Sequence, residues 1–165
     1  MAKTYPTIGP FTAGDILTAA TMTDVQTNLT NQRVPPMCLL TRSGQPITAS
    51  TDTVITGYTE DVDTDGMYDA GSPTRITIAT AGLYMLNINV AWSGTASTRT
   101  DGYIEQNGIG VPAYRDIRYG TNERNHLTIV VACAAADYFE AYVYYTPGSL
   151  STNVRFSATW LGQAS

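Results

Sequence analysis

A strict two-residue alternation near the middle of the chain limits what it can become. Tyr84, Leu86, Ile88, Val90 and Trp92 alternate with Met85, Asn87, Asn89 and Ala91. Successive side chains on a strand point to opposite faces, so this run is a β-strand with one buried face. A helix would repeat its apolar residues at three and four instead. The same pattern closes the chain, where Val154, Phe156, Ala158 and Trp160 alternate with Arg155, Ser157 and Thr159. Further strands are expected over 37–42, 52–59, 74–79, 102–106, 113–118, 126–134 and 138–146. Turn pairs separate them: Ser43-Gly44, Asp65-Gly66, Ala81-Gly82, Asn107-Gly108, Tyr119-Gly120 and Pro147-Gly148. About nine short strands at such spacing suit a sandwich or jelly roll. Composition agrees, since 26 threonines and eleven tyrosines favour pleated surfaces. At 165 residues the chain is one domain's worth.

Charge removes several functions. The net charge is −5 and the nine basic residues are scattered, with Lys3 the sole lysine. Nucleic-acid binding and polybasic membrane docking both need a concentrated positive surface, so neither is expected. No apolar run approaches the roughly 20 residues of a membrane span. The opening Met1-Ala-Lys-Thr-Tyr-Pro6 lacks a signal peptide's apolar stretch, so synthesis in a cytoplasm is expected. Cys38 and Cys133 form no CxxC pair, and His126 is the only histidine. The usual zinc sites therefore lack ligands. The two cysteines are expected to be unpaired thiols, with a disulfide as the alternative.

Residues 1–36 read differently from the rest. Pro6, Gly9 and Pro10 keep the first ten residues irregular. A short helix follows, capped by Thr18, with Met22, Val25 and Leu29 on one face. It must end before Val34-Pro35-Pro36, because the residue before proline is pushed out of the helical region. A helix this short and threonine-rich is not stable alone. Its stripe needs a surface, either its own domain or another molecule. In the second case Phe11, Ile16, Leu17, Met22, Val25 and Leu29 form an apolar docking arm. The expected division is an arm over 1–36 and a β head over 37–165.

On 138–146 both faces are bulky. Phe139, Ala141, Val143 and Tyr145 share one face; Tyr138, Glu140, Tyr142 and Tyr144 share the other. Tyrosine offers large contact area with a wet polar tip, so Tyr138, Tyr142 and Tyr144 are candidates for an interface between copies. The alternative is a solvated, tyrosine-rich face that suits β propensity.

Chemical motifs are sparse. Asp61-Val-Asp-Thr-Asp65-Gly66 fits the start of an EF-hand loop, with Asp69 at the ninth position. Ser72 stands where the bidentate glutamate belongs, so an EF-hand is not expected. A looser calcium site at Asp61, Asp63, Asp65 and Asp69 competes with a plain acidic turn. Apart from that calcium no cofactor is expected. His126 has no G-x-S-x-G nucleophile to serve. Acidic pairs for glycoside cleavage can be drawn from Glu60, Asp101, Glu105 and Glu123, but nothing singles one out. Trp92, Tyr103, Tyr114 and Tyr119 include rings that could stack on sugars, although Trp92 has the buried parity.

The order of several segments resembles the TNF-like jelly roll, in the branch of complement and collagen-like globular heads. The segments are Val54-Ile-Thr-Gly-Tyr58, Asp65-Gly-Met-Tyr-Asp69, Thr74-Arg-Ile-Thr-Ile78, Ala81-Gly-Leu-Tyr-Met-Leu86, Ile104-Glu-Gln-Asn-Gly108, Ala136-Asp-Tyr-Phe139 and Phe156-Ser-Ala-Thr-Trp-Leu-Gly162. They span about 37 to 162. The family usually writes Gly-Asp where this chain has Ala136-Asp137. The resemblance implies an all-β, non-enzymatic homotrimer, with the strand carrying Tyr138, Tyr142 and Tyr144 at the contact. Separately, Phe11-Thr-Ala-Gly-Asp-Ile-Leu-Thr-Ala-Ala20 is similar to the opening of many tailed-bacteriophage virion proteins. Together they imply a virion-surface structural protein made in the host bacterial cytoplasm. Its partners would be itself and phage capsid or tail proteins, as a capsid decoration or head-fibre protein. The alternative is a tail-fibre or receptor-binding tip that recognises host glycan.

Overall fold

The computed structural model describes residues 2–10, 12, 15–93, 99–120, 124–146 and 150–164, with the side chains of 110–113 left aside. Among the described residues one helix, α1 (Ala19–Arg33), precedes ten strands. These are β1 (Met37–Ile47), β2 (Thr53–Val54), β3 (Thr59–Asp63), β4 (Arg75–Thr77), β5 (Gly82–Ser93), β6 (Arg99–Gln106), β7 (Ile109–Tyr119), β8 (Arg124–Cys133), β9 (Tyr138–Thr146) and β10 (Leu150–Gly162). The first sheet runs β3-β1-β10-β5-β8. The second runs β2-β9-β6-β7, with β4 added on β9. All pairings are antiparallel. The first and last strands lie side by side, Leu40 opposite Phe156, so the sandwich is closed through its own ends.

The alternation in the sequence becomes the core. Tyr84, Leu86, Ile88, Val90 and Trp92 of β5 all face inward, as do Val154, Phe156 and Ala158 of β10. Phe139, Ala141, Val143 and Tyr145 of β9 meet them from the second sheet. Each such large side chain contributes about 1.5–3 kcal/mol on leaving water, so this double layer outweighs any local preference of the chain. Cys38 and Cys133 are buried in it as free thiols. Burial pushes the Cys133 thiol up to about 12, so it stays protonated and unreactive.

The Asn107-Gly108 turn forms as its sequence demands. Both residues have positive φ, 54° and 71°. That pair of conformations gives a two-residue hairpin a twist matching its strands. Asn107 also ties the turn down, accepting from Tyr138 N at 2.9 Å and donating to Asp137 Oδ1 at 2.9 Å.

Two expectations need correction. The segment 52–59 is not one strand. Thr53–Val54 pairs with β9 in the second sheet, and Thr59–Asp63 pairs with β1 in the first. The chain crosses between layers around Gly57 at φ 66°, while Ile55 and Tyr58 are buried between the sheets. The second concerns Ser43-Gly44, which is not a turn between strands, because β1 runs on through it with a bulge between Arg42 and Gln45. The boundaries of α1 are as expected, with Thr18 Oγ1 accepting from Thr21 N at 3.2 Å. Its apolar stripe, however, does not pack on the head. No residue of the helix is buried, and Met22 and Leu29 are 52% and 57% exposed.

Candidate functional site

Two surfaces emerge, one on the outer face of the second sheet and one on the arm. Register builds the first. Tyr142 lies opposite Tyr103, Tyr144 opposite Asp101, and Glu140 opposite Glu105. Arg115 lies opposite Tyr103 on the next strand. All these side chains leave the sheet on the side away from the core. The rings of Tyr103 and Tyr142 stack at 5.3 Å. Arg115 sits over Tyr103 at 4.4 Å, Arg99 over Tyr144 at 4.9 Å, and Arg75 over Tyr138 at 4.7 Å.

Asp101 anchors this layer. It points outward, yet its side chain is fully buried by its neighbours. Arg99 grips it with two nitrogens, Nε to Oδ1 at 2.9 Å and Nη2 to Oδ2 at 2.5 Å. Arg115 adds Nη2 to Oδ2 at 2.5 Å and reaches Asp52 at 3.2 Å. The bond to Asp101 raises the Arg99 guanidinium further above its ordinary value. Nearby, burial, the facing Glu140 and Asp52 raise the Glu105 carboxyl. Burial and the same two glutamates push the Tyr142 phenol up to about 12. The three tyrosines singled out in the sequence therefore share one face. Their rings are held by partners within the chain. The residues around them, Arg75, Arg99, Asp101 and Arg115, are grouped by no sequence pattern, because only the strand register brings them together.

The arm is held by polar contacts and one ring stack. Residues 3–6 lie between α1 and the base of the head. Lys3 N donates to Thr80 Oγ1 at 2.7 Å, and Lys3 Nζ donates to Val34 O. Tyr5 stacks on Trp160 at 4.6 Å. Asn31 Nδ2 donates to Thr4 O at 2.6 Å, and Asn28 Nδ2 to Pro6 O at 2.9 Å. A cleft of about 730 Å³ remains between Tyr5, Asn28, Gln32 and Trp160. The strap thus fixes the helix through its asparagines and leaves apolar side chains outward. Ile16 is 89% and Leu17 52% exposed. Val25 is half-buried. Phe11 lies outside the described residues.

The acidic stretch is only partly a loop. Asp61 and Asp63 belong to β3. Asp63 accepts from the amides of Asp65, Gly66 and Tyr68 at 2.8–3.1 Å, as an ordinary turn-capping aspartate does. Asp69 accepts from Gly71 N at 2.8 Å, and Asp65 is buried. Among the described residues no group of three or more His, Cys, Asp or Glu side chains is placed to hold a metal ion.

Other candidates scatter. Trp92 is core and donates to Asn125 Oδ1 at 2.8 Å. Tyr103 is buried under Arg115, Tyr114 packs against the core, and Tyr119 is 72% exposed. His126 is exposed on the first sheet, with Nε2 2.8 Å from Asn87 Nδ2. Glu60 and Glu105 lie on different sheets, and Asp101 is enclosed by arginines. Glu123 lies outside the described residues. Among the described residues no helix is long and apolar enough to cross a membrane.

The architecture defines a two-sheet antiparallel jelly roll. Comparison with solved structures places that jelly roll among TNF-like and complement-1q-like folds. The PRD1 vertex protein P5 matches with a TM-score of 0.64 at 11% identity, over 77% of this chain and 97% of that one. The globular domain of zebrafish complement 1qA matches at 0.58 and 10% identity, over 78% and 99%. Murine APRIL matches at 0.54 and 15% identity, over 73% and 98%. No protein-family model and no curated protein sequence matches the chain.

Proposed function

We propose that this chain is a non-enzymatic structural protein of a phage particle, a homotrimeric capsid decoration or head-fibre protein. Residues 1–36 act as the attachment arm and 37–165 as the head. The observation that carries the reading is a set of exposed apolar side chains, Ile16 and Leu17 just before α1 and Met22 and Leu29 on it, while polar contacts tie α1 to the strap and the strap to the head. Apolar side chains held outward on an ordered element favour burial against a partner. The likeness of the fold to a vertex protein supports a virion setting. Three linked arms would bind as one unit at high effective concentration, so each contact can be modest.

The tyrosine face of β9 supports self-association, because aromatic and arginine side chains are enriched at interface cores. A second face competes. On the first sheet Met85 lies opposite Val130, and they are 37% and 54% exposed. Replacing Tyr142 or Met85 by glutamate separates the two, since a buried like charge splits an assembly. Native mass falling only with Tyr142→Glu assigns the contact to β9. A fall only with Met85→Glu assigns it to the first sheet. A wild-type chain that is monomeric at micromolar concentration removes the trimer.

The rival reading, a receptor-binding tip for host glycan, shares the fold and arm. Co-sedimentation of the purified chain with empty phage shells and with host cells tests both. Saturable binding to shells, lost on deleting 1–33, is the expected result. Binding to cells alone overturns the decoration role in favour of the tip.

A further inference from the structure

Three of the chain's eight arginines meet carboxylates: Arg99, Arg115 and Arg118. Arg75 lies over Tyr138, and Arg42 donates to Gly57 O at 3.4 Å. Arg33 ends α1, where the helix dipole favours a cation. The remaining two, Arg124 and Arg155, make no ion pair with a described residue. Both line one pocket of about 250 Å³ on the outer face of the first sheet.

Register explains the convergence. Arg155 of β10 lies opposite Asn89 of β5. One step along the same face, Asn153 lies opposite Ala91, and Ala91 lies opposite Arg124 of β8. Asn153 Oδ1 accepts from Ser43 Oγ and Gly44 N, both at 2.9 Å. Its acceptor side is thereby occupied, and its remaining capacity is the NH₂ donor. The lining holds three arginines and two asparagines but no aspartate or glutamate. Among the described residues, one acidic group bonded to a lining residue is Asp61, which accepts from Thr41 Oγ1 at 3.3 Å.

We propose that this pocket is an oxyanion site, taking a phosphate or carboxylate group through Arg124 and Arg155, with Asn89 and Asn153 as neutral donors. The guanidinium fork matches both groups in geometry, and charge-assisted bonds of this kind are the strong ones. The volume lies just below the usual ligand-pocket range of about 300–1,000 Å³, which suits a compact anionic group. In a chain of net charge −5, two cations with no ion pair among the described residues focus potential on one concave face against the overall field. The proposal does not depend on the virion reading.

NMR titration of the full chain at low ionic strength tests it, with inorganic phosphate and glucuronate as separate probes. The expected result is saturable shifts centred on Asn89, Arg124, Asn153 and Arg155. Arg124→Gln and Arg155→Gln should each weaken the response at least tenfold, with the remaining spectrum reporting an intact fold. Arg33→Gln should leave it unchanged. A response to phosphate alone assigns a phosphoryl ligand, to glucuronate alone a carboxylate, and to both the shared oxyanion chemistry. No saturable shift with either probe overturns the site. So does an equal loss in Arg33→Gln, which would mark diffuse attraction.

Discussion

Arg115 Nη2 lies 2.5 Å from Asp101 Oδ2, and the Asp101 side chain is fully buried although it points away from the core. Arg99 holds the same oxygen from the other side at 2.5 Å. The outer layer of the second sheet is therefore built around one carboxylate shared by two guanidinium groups. The arginines are themselves partly exposed, at 32% and 25%, so water still reaches them.

That asymmetry sets the first prediction. Replacing either arginine by methionine leaves Asp101 paired with the other, and the loss should be modest. Replacing both strands a buried carboxylate, a change that typically costs about 3–5 kcal/mol. The double variant should therefore lose more in urea unfolding than the sum of the singles. Strict additivity would mean the two arginines do not share the carboxylate.

Gly82 controls how the arm meets the head. A Cβ there would lie 2.1 Å from Trp160 Nε1 and 2.6 Å from the carbonyl oxygen of Gly162. Trp160 must swing away, and its stack with Tyr5 goes with it. Gly82→Ala should lower stability by about 1–3 kcal/mol, the usual range for overpacking. Limited proteolysis should also cut the first ten residues faster in the variant. Unchanged cleavage would mean the Tyr5 stack does not hold the strap.

Ala136 occupies the left-handed region at φ 74°. This conformation costs an L-residue about 1–2 kcal/mol, of which glycine's extra chain entropy returns roughly half. Ala136→Gly should raise stability by about 0.5–1 kcal/mol. A fall in the melting temperature would show that the alanine methyl makes a compensating contact.

Glu105 gives the fold a pH dependence. Burial, Glu140 and Asp52 raise its carboxyl above the ordinary range. The folded state then binds the proton more tightly than the unfolded chain does. Its contribution to stability is favourable at low pH and is lost as pH rises through the raised folded value. Glu105→Gln should be more stable than wild type at neutral pH, and the gap should close as pH falls toward the ordinary glutamate range. A gap that stays constant with pH would remove the titration of Glu105 as its cause.

Much of the head was legible because strands announce themselves by parity. The cores of β5, β9 and β10 follow from alternation alone, and Asn107-Gly108 marks its own hairpin. The 52–59 segment was not legible, since its apolar residues serve two sheets and the crossover at Gly57 has no period. The helix was legible in part. Its ends were readable from Thr18 and Pro35, but its stripe left open whether its own domain or another molecule would cover it, and in the structure it does not pack on the head. Asn28 and Asn31 hold the helix instead, through backbone carbonyls of the strap, and amide contacts of that kind have no pattern in sequence.

By itself the sequence determined the all-β class, the buried parity of each long strand, the helix limits and the shared face of Tyr138, Tyr142 and Tyr144. These are local matters, decided by the two periods of the backbone and by proline and glycine conformations. Only the tertiary structure decided which strands became neighbours. That choice placed Asp101 between Arg99 and Arg115, brought Arg124 and Arg155 to the lining of one pocket, and turned the apolar side of α1 outward. The physical reason is that pairing between distant strands is set by burial of the whole double layer, which no single segment encodes.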